Sequence, residues 1–111
     1  MPPLTKLQFH CLAGLARCPM HPYFLRQEII ELSERRFWPS GSSVRKCLKD
    51  LEAKGLVIDC RGNPYYWLKA KRSVPYEITA KGIKQLTREL STYQFIISLT
   101  RARLAGKNGV N

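Results

Sequence analysis

A chain of 111 residues with 44% apolar content has room for one domain and one core, and is too apolar for a disordered segment. Nineteen Lys and Arg against eight Asp and Glu leave a formal net charge of +11, an excess that destabilises a compact chain by self-repulsion unless a polyanion relieves it. Nucleic acid is the first candidate partner and an anionic membrane surface the second, while the lack of any apolar run long enough to span a bilayer argues against a membrane protein.

The opening Met-Pro-Pro-Leu-Thr leads into a broken, mixed segment rather than a signal peptide. A first helix is predicted from Thr5 to about Arg17. Thr5 is placed to cap it, with Gln8 three residues on as in a capping box, and Leu4, Leu7, Cys11, Leu12 and Leu15 form one apolar face. Pro19 and Pro22 bracket a short connector. A second helix begins at Pro22 or Tyr23, where proline suits the first turn. Its expected buried stripe is Leu25, Ile29 and Leu32, with Arg26, Gln27, Glu31, Glu34 and Arg35 outward. Pro39 and Gly41 end it. Because Glu28, Glu31 and Glu34 crowd this helix, it is not expected to be the main phosphate-facing surface.

A third helix is expected with Ser42 or Ser43 as its N-cap. Val44, Cys47, Leu48 and Leu51 stand at i, i+3, i+4 and i+7 and make a single core stripe. Arg45, Lys46 and Lys49 occupy the opposite face. Lys54 and Gly55 close the helix. Leu56 to Cys60 reads as a short strand whose partner is Val74 to Thr79. Between them lie Arg61, the aromatics Tyr65, Tyr66 and Trp67, and a basic run containing Lys69, Lys71 and Arg72; this is long for a hairpin loop. Thr79 caps a fourth helix. Ile83, Leu86, Leu90, Tyr93, Ile97, Thr100 and Leu104 alternate spacings of three and four along it, a heptad seam. Residues 105–111 should fray.

Other chemistries fit less well. The four cysteines (11, 18, 47 and 60) include no Cys-x-x-Cys pair and read as reduced thiols of a cytoplasmic protein. Cys18 and His21 have a metal-like spacing near His10 and Cys11, but Cys11 falls in a core stripe and adjacent helical residues diverge, so no metal site and no cofactor is expected. No paired carboxylates in a plausible cleft, phosphate-cradling glycine loop or nucleophile beside a base is found, so no enzyme activity is expected.

Helix, hairpin and helix in this order, with a net +7 across residues 40–88, point to a winged helix-turn-helix: α+β but mainly α, three helices plus a β-hairpin wing, with a long C-terminal helix. Residues 1–90 would form the DNA-binding domain, residues 80–105 a dimerisation helix continuous with it, and residues 106–111 a frayed tail. A reading helix buries one stripe and offers cations and small polar groups opposite it. Ser42, Ser43, Arg45, Lys46 and Lys49 meet that requirement. Arg61, Lys69, Lys71 and Arg72 would lie on flanking backbone or minor groove as the wing. Ile83, Leu86, Leu90, Tyr93, Ile97 and Leu104 would pair two copies, since an uncovered apolar stripe is adhesive. Tyr65, Tyr66 and Trp67 would cap the small core, stack on unpaired bases, line a pocket for a flat effector or pad a dimer contact. Two other readings compete: a protein-interaction module of a transcription or replication assembly, and a nonspecific nucleic-acid binder.

His21-Pro22-Tyr23, the run Ser43 to Val57, and Tyr76-Glu77-Ile78-Thr79-Ala80-Lys81-Gly82-Ile83 carry a resemblance to winged-helix regulators, most closely the PadR-like transcriptional regulators, over residues 4 to 90. The resemblance implies a cytoplasmic homodimer acting on transcription at a palindromic operator in double-stranded DNA, with its first and last helices at the dimer contact and the third helix in the groove. Arg45 departs from it, standing where that family usually has tyrosine, and so do the aromatics after Cys60.

Overall fold

The computed structural model describes residues 2–60 and 75–108. In chain order they form α1 (Lys6–Leu15), α2 (Pro22–Leu32), α3 (Gly41–Ala53), β1 (Val57–Asp59), β2 (Tyr76–Ile78) and α4 (Ala80–Asn108). This is the winged-helix arrangement: a three-helix body, an antiparallel strand pair and a long closing helix.

Local chemistry sets the helix ends. Thr5 and Gln8 make a full capping box: Gln8 N donates to Thr5 Oγ1 at 3.2 Å and Thr5 N donates to Gln8 Oε1 at 2.9 Å. Helix α1 stops at Leu15, two residues short of the expected Arg17. Helix α2 starts on Pro22, as proline's fixed φ favours. Its buried face departs from the expected stripe. Leu25 and Ile29 are inside, but Leu32 is 48% exposed and Ile30 takes its place. The reason is a fold-back at the helix end: Arg35 N donates to Ile30 O (2.8 Å), Glu34 N to Glu31 O (3.0 Å) and Ser33 Oγ to Ile30 O (2.9 Å). That is a Schellman turn, and it closes over Ile30 while leaving the last residue of the helix outside. Glu34 (φ 56°) adopts the left-handed conformation it requires, and Arg35 (φ 64°) is left-handed as well.

Helix α3 is capped by Ser40, two residues before the earlier of the two expected caps. Ser40 is extended and its Oγ accepts from Ser43 N at 3.1 Å, which makes Gly41 the first helical residue. The helix closes with the same turn as α2, here with Gly55 at φ +76°, Gly55 N donating to Glu52 O and Leu56 N to Leu51 O. The chain passes directly into β1.

The strands are shorter than expected, with the register Val57↔Ile78, Ile58↔Glu77 and Asp59↔Tyr76. Met20, in the α1–α2 connector, bridges to Tyr76 on the outer side: each backbone N–H donates to the other's carbonyl, at 3.0 and 2.8 Å. The core is continuous across the body: Leu12 and Leu15 of α1, Leu25 and Ile29 of α2, Val44, Leu48 and Leu51 of α3, Leu56 and Val57 at β1, and Leu86 of α4. Gly14 lets α1 and α2 approach, since a Cβ there would meet Leu25 Cδ1 at 2.6 Å.

Helix α4 has 29 residues, about 43 Å at the usual helical rise, and the described chain is 60 Å long. Thr79 caps it, as expected: its Oγ1 accepts from Gly82 N at 3.0 Å. The helix persists to Asn108 rather than fraying from residue 105. From Leu90 to Lys107 every residue is exposed.

Candidate nucleic-acid interface

Helix α3 stands on a rigid base. Burial of Val44, Cys47, Leu48 and Leu51 fixes its rotation, because these four lie along one side of the helix. Ser42, Arg45, Lys46 and Lys49 then occupy the opposite arc, about 100° wide at the helical repeat. They and Ser43 are all exposed, so the structure brings together the five residues expected to read DNA. Arg45 and Lys46 have no ion-pair partner among the described residues. Lys49 Nζ lies 3.7 Å from Glu52 Oε1, an exposed pair worth little in water.

Both ends of the helix are held. On the entry side, Arg26 Nε of α2 donates to Pro39 O at 2.7 Å, Ser33 Oγ accepts from Phe37 N at 3.0 Å, and Trp38 Nε1 donates to Arg35 O at 2.7 Å. On the exit side the block from Thr79 to Gly82 ties α4 to the end of α3. Thr79 Oγ1 donates to Gly55 O at 2.7 Å, Lys81 Nζ donates to Lys54 O at 2.9 Å, and Thr79 N donates to Leu56 O at 3.1 Å. Gly82 sits so close that an added Cβ would collide with Leu56 O and lie 2.8 Å from Ile78 Cγ1. The use of this glycine is close approach. A glycine in the first turn of a helix, three residues past a capping threonine, is the only signal the sequence offers for it.

The acids of α2 are locally paired. Glu28 pairs with Arg17 at 3.1 Å and Glu31 with Arg35 at 3.3 Å. The expected wing residues Arg61, Lys69, Lys71 and Arg72, and the aromatics Tyr65, Tyr66 and Trp67, lie outside the described residues. The strand pair that leads to them ends with Cys60 N donating to Pro75 O at 2.8 Å.

The expected pairing residues of α4 divide. Leu86 is 6% exposed and belongs to this chain's own core, which corrects its assignment to a face between copies: α4 first lies across the body, and the i+3 position after Ile83 falls underneath. Ile83, Leu90, Tyr93, Ile97 and Leu104 are exposed, and Tyr93 meets Phe9 of α1 edge to face at 5.2 Å. Sequence reading missed Phe95, Ile96 and Leu99, also exposed. They fall on the side away from the heptad seam, where a search for spacings of three and four does not look. It also missed Gln85 and Glu89, which hold the N-terminal segment: Gln85 Nε2 donates to Pro2 O at 3.2 Å and Leu4 N donates to Glu89 Oε2 at 2.7 Å.

The four thiols do not gather at one place. Cys18 is exposed, whereas Cys11 and Cys47 are buried against each other with sulfurs 3.7 Å apart. Burial pushes the Cys60 thiol upward, with Glu77 and Asp59 adding to the effect. Among the described residues no three His, Cys, Asp or Glu side chains group to hold a metal ion, and no helix is long and apolar enough to cross a membrane. A cavity of about 420 Å³ opens beside the α1–α2 connector, lined by Cys18, Met20, His21, Phe24 and Glu28 among others, and it does not touch α3.

No family model matches the chain, and no curated protein matches it in sequence. Solved structures do match its fold. A transcriptional regulator from Clostridium thermocellum superimposes with a TM-score of 0.70 at 17% identity, covering 86% of this chain and 87% of that one. The transcriptional regulator BldR from Sulfolobus solfataricus gives a TM-score of 0.67 at 24% identity, over 96% of this chain and 73% of that one. ZitR of Lactococcus lactis, a zinc-responsive MarR family member, gives 0.66 at 23% identity, over 96% of this chain and 64% of that one. These neighbours are transcriptional regulators, and the similarity establishes the winged-helix fold.

Proposed function

We propose that this chain is a sequence-specific double-stranded DNA-binding regulator of transcription, working as a cytoplasmic homodimer of the PadR-like kind. The observation that carries the reading is the exposed arc of α3. Ser42, Arg45, Lys46 and Lys49 share one side of a helix whose other side is locked into the core and whose two ends are tied down, with Ser43 exposed in its first turn. Helix α3 enters the major groove, where Arg45 offers a bidentate match to a guanine edge and Lys46 and Lys49 reach bases or phosphates. Arg61, Lys69, Lys71 and Arg72, the basic residues that the sequence assigns to the wing, would touch flanking backbone or minor groove. Two copies joined through the outer half of α4 set two reading helices against half-sites about one helical turn apart.

Selection from random duplexes supplies the operator. Replacing Arg45 and Lys49 together with alanine should then erase most of the preference for that operator over random DNA, each base left unread removing about 1–3 kcal/mol of discrimination. Replacing Lys71 and Arg72 should instead weaken binding to all sequences and flatten the log–log salt dependence by about 0.9 for each phosphate no longer neutralised. Unchanged discrimination in the Arg45/Lys49 variant would remove α3 as the reader. Absence of duplex binding above the nonspecific level at physiological salt, with a protein co-purifying, would favour the interaction-module reading instead.

A further inference from the structure

Cys11 and Cys47 are the only pair of thiols in contact among the described residues, and they join two helices with different tasks. Cys11 is fully buried on α1; Cys47, 6% exposed, lies on the buried stripe of α3, next in sequence to Lys46. Their sulfurs stand 3.7 Å apart. A disulfide needs about 2.05 Å, so the two sulfurs are short of a bond by less than the diameter of an atom, with no other residue between them. We propose that Cys11 and Cys47 form an intrachain disulfide when the protein meets a hydroperoxide, and that this bond shifts α3 against α1 and weakens DNA binding. The effect on DNA rests on the function proposed above; the bond itself does not.

The chemistry balances in two steps. The Cys47 thiolate attacks one oxygen of hydrogen peroxide; the O–O bond breaks, hydroxide leaves and Cys47 becomes a sulfenic acid. The Cys11 sulfur then attacks the Cys47 sulfur; the S–O bond breaks, the Cys11 proton goes to the departing oxygen, and water leaves. Two thiols and one peroxide yield one disulfide and two waters. The order follows from the surroundings. The Cys11 S–H donates to Cys47 and so holds the Cys47 thiol below its ordinary range, helped by Lys54 and opposed by burial and by Asp50. The same hydrogen bond, with burial, pushes Cys11 upward. Cys47 is also the more accessible of the two, so it meets oxidant first and Cys11 resolves it.

The bond cannot form without consequence for α3. Leu12 and Leu15 beside Cys11, and Val44, Leu48 and Leu51 beside Cys47, are almost wholly buried. A close-packed interior does not absorb a displacement at one side chain but passes it to its neighbours. The stripe that fixes the rotation of α3 is therefore the part that moves, and the arc bearing Arg45, Lys46 and Lys49 moves with it.

The test uses the full chain carrying Cys18→Ser, which removes the exposed thiol and its intermolecular disulfides. Hydrogen peroxide should lower the intact mass by about 2 Da, and a proteolytic digest should contain one peptide joining Cys11 to Cys47, released by dithiothreitol. DNA affinity should fall at least roughly tenfold on oxidation and recover on reduction; adding Cys47→Ala should abolish both effects. The wild-type pair is read by mass, so the proposal stays testable if that variant folds poorly. Both thiols remaining free to alkylate after peroxide, or climbing to sulfinic acid without a crosslink, would overturn the site. A crosslink that leaves DNA affinity unchanged would overturn the coupling. Reduced protein that binds no duplex while still forming the crosslink would instead overturn the DNA-binding reading and leave the disulfide standing.

Discussion

The two halves of α4 are one continuous helix in opposite surroundings. In the inner half, Thr79 and Lys81 bond to the end of α3, Gly82 touches the backbone of Leu56, Leu86 enters the core, and Gln85 and Glu89 grip the N-terminal segment. In the outer half, no residue from Leu90 to Lys107 is buried, although Leu90, Tyr93, Phe95, Ile96, Ile97, Leu99 and Leu104 are all there. Most helical stability in a protein comes from packing an apolar face, and an exposed apolar patch of this extent marks an interaction surface. The contrast teaches that the described residues of a single chain account for the inner half of α4 and, beyond the contact of Tyr93 with Phe9, leave the apolar side chains of the outer half uncovered. Its inner half positions the candidate reading helix; its outer half is the part a second copy would cover.

Substitutions separate the two roles. The largest effect is expected at Gly82→Ala: its Cβ would strike a backbone carbonyl that cannot swing aside, costing about 3 kcal/mol, the upper part of the range for overpacking. Urea unfolding should show a lower midpoint with an unchanged slope. Leu86→Ala should cost about 2–3 kcal/mol as a core truncation, and by the same amount at every protein concentration. Concentration-dependent destabilisation there would return Leu86 to the face between copies. Ile97→Glu should leave the fold of the body intact and weaken self-association roughly 30-fold, about 2 kcal/mol. Light scattering would detect this as a mass falling toward the 12.8 kDa of one chain. Wild-type protein with that mass at micromolar concentration would break the comparison outright, because the outer half would then be stable uncovered. The smallest effect is at Thr79→Val, which removes both the α4 cap and the bond to Gly55 O, for about 1–2 kcal/mol. Calorimetry should show it as a modest drop in Tm with self-association unaffected.

Several features were legible because they depend on neighbours in sequence. The capping box at Thr5 and Gln8, proline at the start of α2, the four-residue stripe of α3 and Thr79 as a cap are all local chemistry, and the structure contains each of them. The two Schellman turns show where such reading stops. At Gly55 the left-handed residue is a glycine and marks its own turn. At Glu34 the same backbone turn carries an ordinary side chain, so nothing in the sequence marks the fold-back, and with it the exchange of Leu32 for Ile30 goes unseen. The N-cap of α3 was misplaced for a related reason. Ser40, Ser42 and Ser43 are all good caps, and only the path of the chain out of Pro39 selects Ser40.

Periodicity and charge by themselves determined that α3 has an apolar side and a cationic side, and that α4 carries a long apolar stripe, because both are properties of a helix repeat of 3.6 residues. The tertiary structure alone decided which of these residues are available. It took Leu86 into the core, brought Gly82 against Leu56, placed Cys11 against Cys47, and left Phe95, Ile96 and Leu99 outside. Those outcomes depend on how helices distant in sequence cross one another, and a helical repeat holds no information about where it will be crossed.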